Sequence, residues 1–169
     1  MLPTGMYFLS DPDALRASGG IYSRLNHELF AMDARPVRVA ERRLLSKACQ
    51  IAADSQEPDF RVGALIVDRG CVVSAASNEC KTHPMQKFWE HRSGIENDTH
   101  RLALHAEIAA LVSLRCETVR PTVVVARINN AGEPRCSYPC RICLPALRHA
   151  GVRRIICYDV VHQPIVIDL

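Results

Sequence analysis

The sequence has 169 residues, about the length of one domain. It is 48% hydrophobic and 23% charged, which suits a globular protein with a buried core and excludes an intrinsically disordered chain. No apolar run approaches the length of a membrane span, about 18 residues, and the N-terminus lacks the basic and apolar regions of a secretory signal. Eight cysteines in such a chain indicate a reducing compartment, where paired cysteines more often bind metal than form disulfides. We therefore expect a cytoplasmic protein.

The net charge is only +3, but it is unevenly distributed. Residues 135–154 contain five arginines and no acidic residue; these are Arg135, Arg141, Arg148, Arg153 and Arg154. Such a run favours either a solvated basic face or attraction for phosphate on a nucleotide or a nucleic-acid strand. The charge imbalance alone does not choose between them.

The hydrophobic pattern predicts an N-terminal extension over residues 1–36 and a regular domain over residues 37–169. Within the extension, short helices are expected at 11–17 and 24–32. The domain should contain, in order, a helix at 37–55, a hairpin of strands at 60–68 and 71–77, a long polar loop at 77–101, a helix at 103–116, a strand at 122–128, a helix from the cysteine segment to about Gly151, and a strand at 153–159.

This order predicts an α/β fold with a mixed sheet and helices packed on it, because strand–helix–strand units favour parallel pairing. Only eleven residues follow Tyr158, too few for another crossover helix and a parallel strand. A last strand at 164–169 should therefore return antiparallel through a turn near Gln163-Pro164. Pro145 lies two residues after Cys143, so the helix in that segment should begin near Cys143 or kink there.

Two short segments carry metal-binding chemistry. His105 and Glu107 open one predicted helix, and Cys140 and Cys143 form a C-x-x-C pair that opens the next. Imidazole and thiolate are good zinc ligands, and a helix N-terminus favours thiolates. Both helices follow strands of one sheet, so their N-termini should meet at the same edge.

Three protein ligands leave one tetrahedral position for water, which is the arrangement of a catalytic zinc site. Glu107, two residues after His105, would then serve as the general acid/base. The structural alternative is a closed site in which Cys136 supplies a fourth ligand. That alternative would leave Glu107 without a role, and Cys136 is expected to lie on the rim of the site.

The combination of His105-Ala106-Glu107 with Pro139-Cys140-Arg141-Ile142-Cys143 resembles the H-x-E and P-C-x-x-C signature of the zinc-dependent cytidine/deoxycytidylate deaminase superfamily. The resemblance covers about residues 38–158 and includes the first hairpin, which ends in Asn78. The segment "SNECKTHP" at 77–84 is similar to a variant found in phage and bacterial members. The resemblance implies a cytidine-deaminase-like three-layer fold, with residues 37–169 as the catalytic domain.

The resemblance also implies roles for individual residues. His105, Cys140 and Cys143 would hold Zn²⁺, and Glu107 would transfer protons while water replaces the amine of a base. Asn78 would contact the sugar, and the backbone near Ser137 and Tyr138 would lie beside the leaving amine. The substrate-side residues implied are Asn78, His83, Ala106, Ser137 and Tyr138.

Three functions remain open at this point. The resemblance favours deamination of a free cytosine nucleoside or nucleotide, such as dCMP or cytidine, in nucleotide metabolism. Basic and aromatic residues, among them Phe88 and Trp89 in the 77–101 segment, would suit deamination of bases in single-stranded DNA or RNA. A non-catalytic, zinc-stabilised nucleic-acid-binding module is the third alternative. Superfamily members often assemble as homo-oligomers, which the sequence allows without specifying.

Overall fold

A mixed sheet of seven strands forms the centre of the fold in the computed structural model, which describes residues 27–30, 32–95 and 104–169. The strands are β1 (Ala34–Pro36), β2 (Arg61–Asp68), β3 (Cys71–Ser77), β4 (Thr122–Ile128), β5 (Pro134–Arg135), β6 (Arg154–Tyr158) and β7 (Pro164–Asp168). The helices in the same residues are α1 (His27–Phe30), α2 (Val39–Ala53), α3 (Pro84–Arg92), α4 (Ala106–Val112) and α5 (Cys143–His149).

The strand order is β1-β7-β6-β4-β2-β3, and β5 pairs with β4 outside this row. The β4–β6 pair is parallel and every other pair is antiparallel. Both the mixed sheet and the antiparallel return of the last strand were predicted, and both are confirmed. The parallel pair arises because α5 carries the chain back across the sheet between β4 and β6.

One face of the sheet is covered by α2. The buried residues Leu45 and Ala48 of this helix pack against strand residues that include Leu65 and Val124. The helix approaches β2 very closely at Gly63, where an added Cβ would lie 2.2 Å from the Ala48 carbonyl oxygen. Only glycine therefore fits at this contact.

The opposite face is covered by α4 and α5. Ala106 and Ala110 of α4 and Leu144 and Leu147 of α5 share a core cluster with alternate residues of the strands. Helix α3 packs outside them, mainly through Trp89. The result is the predicted three-layer arrangement of α2, sheet and a second helical layer.

The segment predicted as a polar loop at 77–101 contains helix α3, so that prediction is wrong for residues 84–92. His83 caps this helix, since its Nδ1 accepts a hydrogen bond from the Met85 N–H at 3.1 Å, and Pro84 occupies the first turn. Trp89 is 5% exposed and anchors the helix in the core, whereas Phe88 is exposed. A polar helix held by one large apolar residue gives little periodic signal.

Another helix is shorter than predicted, and the last helix begins where it was predicted to begin. The helix expected at 103–116 spans only Ala106–Val112, because His105 is its extended N-cap residue and Ser113 its C-cap residue. Helix α5 begins at Cys143, as expected, and Pro145 therefore lies in the first turn, where a missing N–H costs nothing.

The described part of the N-terminal extension lies against the domain. Leu29 of α1 is 1% exposed and belongs to the core cluster under α4 and α5, and β1 pairs with β7. The helix expected at 11–17 lies outside the described residues, so the extension over residues 1–36 stays a prediction. Within the described residues, no helix has the length and apolar composition needed to cross a membrane.

Candidate metal centre and active site

His105, Cys140 and Cys143 converge on one point. The His105 Nδ1 atom lies 3.4 Å from the Cys140 sulfur and 3.3 Å from the Cys143 sulfur. All three ligand atoms lie within 4.8 Å of one another. The topology explains this meeting, because β3 and β4 are both antiparallel to β2 and so point the same way. Their carboxyl ends lie at the same edge of the sheet, where the Glu79–Leu104 bridge brings the start of α4 back to the end of β3.

The spacing of these three atoms fits a zinc ion. Zn–N bonds of about 2.05 Å and Zn–S bonds of about 2.3 Å at a tetrahedral angle place nitrogen and sulfur about 3.6 Å apart. The observed nitrogen–sulfur distances differ from that value by a few tenths of an ångström. The donor set of one imidazole and two thiols is also typical of zinc. His105, Cys140 and Cys143 could therefore hold Zn²⁺.

Cys136 is not a member of this cluster in the described residues. Burial raises the pKa of the Cys136 thiol. Among nearby charges, Arg127 lowers this pKa and Asp159 raises it. A closed site with Cys136 as fourth ligand is not what the structure forms. The cluster has three protein ligands, which leaves one tetrahedral position for water.

The electrostatics of the cluster favour a thiolate. A hydrogen bond from Cys143 lowers the pKa of the Cys140 thiol well below its usual value, burial opposes this, and His105 adds to the lowering. Burial alone would lower the pKa of His105. The adjacent Cys140 sulfur raises it by more, and the net result is a pKa of about 9. The negative charge is thus concentrated on the Cys140 sulfur, whereas burial raises the pKa of the Cys143 thiol well above its usual value. Zinc binding would require Cys143 and His105 to release their protons.

Glu107 lies in the first turn of α4, beside the cluster, and is 6% exposed. Burial raises the pKa of its carboxyl group to about 6, Cys140 adds to the rise, and His105 opposes it. Its carboxylate also interacts with the Cys143 thiol. A carboxyl group whose pKa lies this close to neutrality can both accept and release a proton.

Gln86 of α3 supports the cluster and carried no recognisable signal in the sequence. Its side chain is 1% exposed, and its Oε1 accepts a hydrogen bond from the His105 backbone N–H at 3.2 Å. Its Nε2 donates to Glu90 at 3.1 Å. Because the His105 backbone is the N-cap of α4, this contact fixes the start of the helix that presents both His105 and Glu107.

Asn78 is buried at the end of β3, where its side chain joins three segments. Its Oδ1 accepts hydrogen bonds from the Ser55 hydroxyl at 2.7 Å and the Val62 N–H at 2.8 Å, and its Nδ2 donates to the Phe60 carbonyl at 2.7 Å. One Nδ2 hydrogen remains for another acceptor. The next residue, Glu79, forms a backbone bridge with Leu104, immediately before His105.

Ser137 lies between the carboxyl ends of β4 and β6. These strands pair in parallel as far as Val124 and Ile156. Beyond that point the Ser137 hydroxyl donates to the Val125 carbonyl at 2.8 Å and accepts from the Tyr158 N–H at 2.9 Å. This wedge separates the strands and directs the following residues toward the cluster. The only hydroxyl proton of Ser137 is used in this wedge, so the side chain cannot donate to a substrate.

The remaining predicted substrate-side residues take different positions. Ala106 is the buried first residue of α4, between the two residues of the H-x-E motif. Tyr138 is half-buried, and burial raises the pKa of its hydroxyl. His83 caps α3 through Nδ1. Their contacts to substrate stay predictions.

The five arginines of residues 135–154 do not form one basic face. Arg135, Arg148 and Arg154 each form an ion pair, with Glu133, Glu28 and Asp168 respectively. Arg135 lies at the carboxyl end of β4, whereas Arg154 lies at the start of β6, at the other end of the sheet. Pairing at scattered positions fits a solvated surface for these three arginines.

The comparisons with known proteins come from families and solved structures. The family model of the cytidine and deoxycytidylate deaminase zinc-binding region matches residues 39–159. No curated protein gave a significant match.

Among solved structures, the dCMP deaminase from cyanophage S-TIM5 in apo form has 18% identity and a TM-score of 0.48, covering 71% of this chain and 82% of that one. The same enzyme in complex with dCMP and dUMP has 17% identity and a TM-score of 0.47. The match covers 75% of this chain and 85% of that one. Acinetobacter baumannii RibD, form 2, has 21% identity and a TM-score of 0.43, covering 71% and 28%.

The family model spans well over half of the chain and includes every residue of the metal cluster. The fold, the three-ligand cluster and the buried Glu107 agree with that match. The chain therefore belongs to the cytidine and deoxycytidylate deaminase family and is a zinc-dependent hydrolytic deaminase.

Proposed function

We propose that this protein deaminates a free cytosine nucleoside or nucleotide, of the dCMP or cytidine type, to the corresponding uracil compound. The observation that carries the proposal is the position of Glu107, a buried carboxyl group beside a three-ligand cluster. Zinc held by His105, Cys140 and Cys143 would lower the pKa of a bound water to about 7 and so would supply hydroxide at neutral pH. The overall reaction consumes one water and releases one ammonia.

Glu107 would move the protons of this reaction. Its carboxylate accepts a proton from the attacking water and delivers it to the ring nitrogen next to the amine-bearing carbon. It then takes the second proton of the water from the hydroxyl group now on that carbon and carries it to the amine. The carbonyl forms as the carbon–nitrogen bond breaks and ammonia leaves. The position of this carboxyl group, in the first turn of α4 beside the cluster, suits this shuttle.

The substrate would be oriented by groups at the same edge of the sheet. The remaining Nδ2 hydrogen of Asn78 would donate to a sugar oxygen. The backbone of Ser137 and Tyr138, which the Ser137 wedge holds in place, would lie beside the leaving amine. These contacts rest on the family resemblance and on the position of the residues around the cluster.

The experiment is to incubate zinc-loaded protein with cytidine, deoxycytidine and dCMP, and in parallel with cytosine-containing single-stranded oligonucleotides. We expect uracil products from at least one of the three free substrates. Turnover confined to the oligonucleotides would contradict the proposal and indicate deamination in single-stranded nucleic acid instead.

Glu107→Gln tests the assignment of the proton carrier. We expect the variant to bind the same amount of zinc, measured by metal analysis, and to lose at least about 100-fold in kcat, because amide nitrogen cannot shuttle protons. Glu117→Gln removes an exposed carboxylate and is the matched control, with unchanged activity. Full activity in Glu107→Gln would refute the assignment.

A further inference from the structure

Arg127 lies at the carboxyl end of β4, on the face of the sheet that carries the metal centre. It pairs across the sheet with Val62 and lies two residues after Val125. Both valines belong to the core cluster that includes Ala106 of α4. Because paired residues and residues two apart on a strand share a face, the Arg127 side chain is on the side of α4 and α5.

The guanidinium group of Arg127 is held in place by stacking. Its central carbon lies 4.0 Å from the centre of the Phe60 ring. The Nε atom is buried and has no hydrogen-bond partner. Among the described residues, no carboxylate forms an ion pair with this side chain. A half-buried cation without a counter-charge is unfavourable unless an anion supplies one.

The neighbours of Arg127 make this environment more positive. Arg135 lies directly opposite on β5, and like charges in that position repel. Arg135 has its own partners, since it pairs with Glu133 at 2.8 Å and donates to the Pro134 carbonyl at 3.0 Å. Cys136 is kept neutral because burial raises its pKa, so it supplies no negative charge.

Contacts link Arg127 to the residues of the proposed substrate site through Phe60, on which it stacks. The Phe60 carbonyl accepts the Asn78 side-chain N–H, and the residue after Asn78 bridges to Leu104, which precedes the zinc-ligand His105. Phe60, on whose ring Arg127 stacks, therefore contacts through its backbone the residue proposed to bind the sugar.

We infer that Arg127, stacked on Phe60, binds the 5′-phosphate of the substrate, so that the enzyme acts on cytosine nucleotides in preference to nucleosides. This inference rests on the proposed function, because it assigns the part of the substrate that lies beyond the sugar. Neither the cytosine base nor the sugar is charged, so the phosphate is the group that can neutralise this arginine. A guanidinium group fixed by stacking presents its N–H groups to phosphate oxygens in a defined plane.

The test compares equilibrium binding of dUMP, deoxyuridine and inorganic phosphate to the zinc-loaded protein by calorimetry. We expect the wild type to bind dUMP at least about 10-fold more tightly than deoxyuridine, and Arg127→Gln to lose most of that ratio. Inorganic phosphate should compete with dUMP in the wild type and not in Arg127→Gln. Arg120→Gln removes the same charge from an exposed position before the start of β4, and it should leave the ratio unchanged.

Two further variants separate recognition from folding. Arg127→Lys keeps the charge but not the planar donor geometry, and we expect an intermediate ratio. Phe60→Leu keeps the arginine but removes the stacking surface, and we expect a ratio lowered by about threefold. Thermal unfolding of each variant shows whether the fold is retained.

The outcomes distinguish this inference from the proposed function. An equal affinity of the wild type for dUMP and deoxyuridine would overturn the inference, as would an unchanged ratio in folded Arg127→Gln or phosphate-dependent binding of oligonucleotides alone. Failure of the wild type to deaminate any free cytosine nucleoside or nucleotide would instead contradict the proposed function. Turnover of dCMP by the wild type, together with a dUMP preference that Arg127→Gln loses, supports both.

Discussion

The Ser137 wedge gives a quantitative prediction about how the cysteine segment is held. In Ser137→Ala the hydroxyl is lost, so the Val125 carbonyl loses its partner in a buried position and the Tyr158 N–H loses its partner in a partly buried one. Each buried unsatisfied group costs about 1–3 kcal/mol. The Ser137 backbone N–H still donates to the Tyr158 carbonyl, which limits the damage. We therefore expect a total loss of about 2–4 kcal/mol in the free energy of unfolding.

Urea unfolding of the zinc-loaded protein measures this loss. The midpoint should fall without a change in slope, and Tm should fall by roughly 5–15 °C for a chain of this size. Ser46→Ala, at an exposed position in α2, is the matched control and should change the free energy by less than about 0.5 kcal/mol. A loss below about 0.5 kcal/mol in Ser137→Ala would show that the bridge from this hydroxyl to Val125 and Tyr158, where β4 and β6 separate, does not stabilise the fold.

Three further predictions follow from contacts elsewhere in the fold. Gly63→Ala should lower the free energy of unfolding by about 1–3 kcal/mol, because the added Cβ would lie 2.2 Å from the Ala48 carbonyl oxygen. Thermal melting measures this loss, and an unchanged Tm would show that α2 can shift freely. The Arg35 ion pair lowers the pKa of Glu41 to about 2 from 4.5, so this carboxylate stabilises the fold above pH 4.5 and its contribution, about 1 kcal/mol, is lost as the pH falls from 4.5 toward 2. Glu41→Gln should flatten that part of the stability–pH curve, and an identical curve would contradict the assignment. Gln86→Leu should weaken zinc binding by about 10-fold in a chelator competition, because it removes the hydrogen bond that fixes the N-cap of α4; unchanged affinity would show that the contact does not position the metal ligands.

The metal centre could be predicted from the sequence because its members follow strands. Segments that follow two strands pointing the same way start from one edge of the sheet, and that rule predicts a shared edge for His105, Cys140 and Cys143. The chain passes through α3 before it reaches His105 and through β5 before it reaches Cys140, and the Glu79–Leu104 bridge returns it to the end of β3. These intervening elements were not predicted. The start of α5 at Cys143 was predictable too, since Pro145 is tolerated only in a first turn.

Other features depend on contacts between distant residues that no local pattern records. Helix α3 is polar, and it is stabilised by the burial of Trp89 and by Gln86, whose partner at His105 is nineteen residues away. Strand β1 exists because it pairs with β7 at the other end of the chain. The single signal for Arg127 was a charge within the apolar strand at 122–128, and its lack of an ionic partner is visible only once the neighbours are placed.

The central claim is that this protein replaces the amine of a cytosine compound with an oxygen from water. The most direct measurement is mass spectrometry of the products after zinc-loaded protein is incubated with dCMP, cytidine and deoxycytidine in ¹⁸O-labelled water. We expect a uracil product that carries one ¹⁸O atom, together with an equal amount of ammonia. In Glu107→Gln we expect neither product. Absence of any uracil product from the zinc-loaded wild type, or a product without the label, would contradict it.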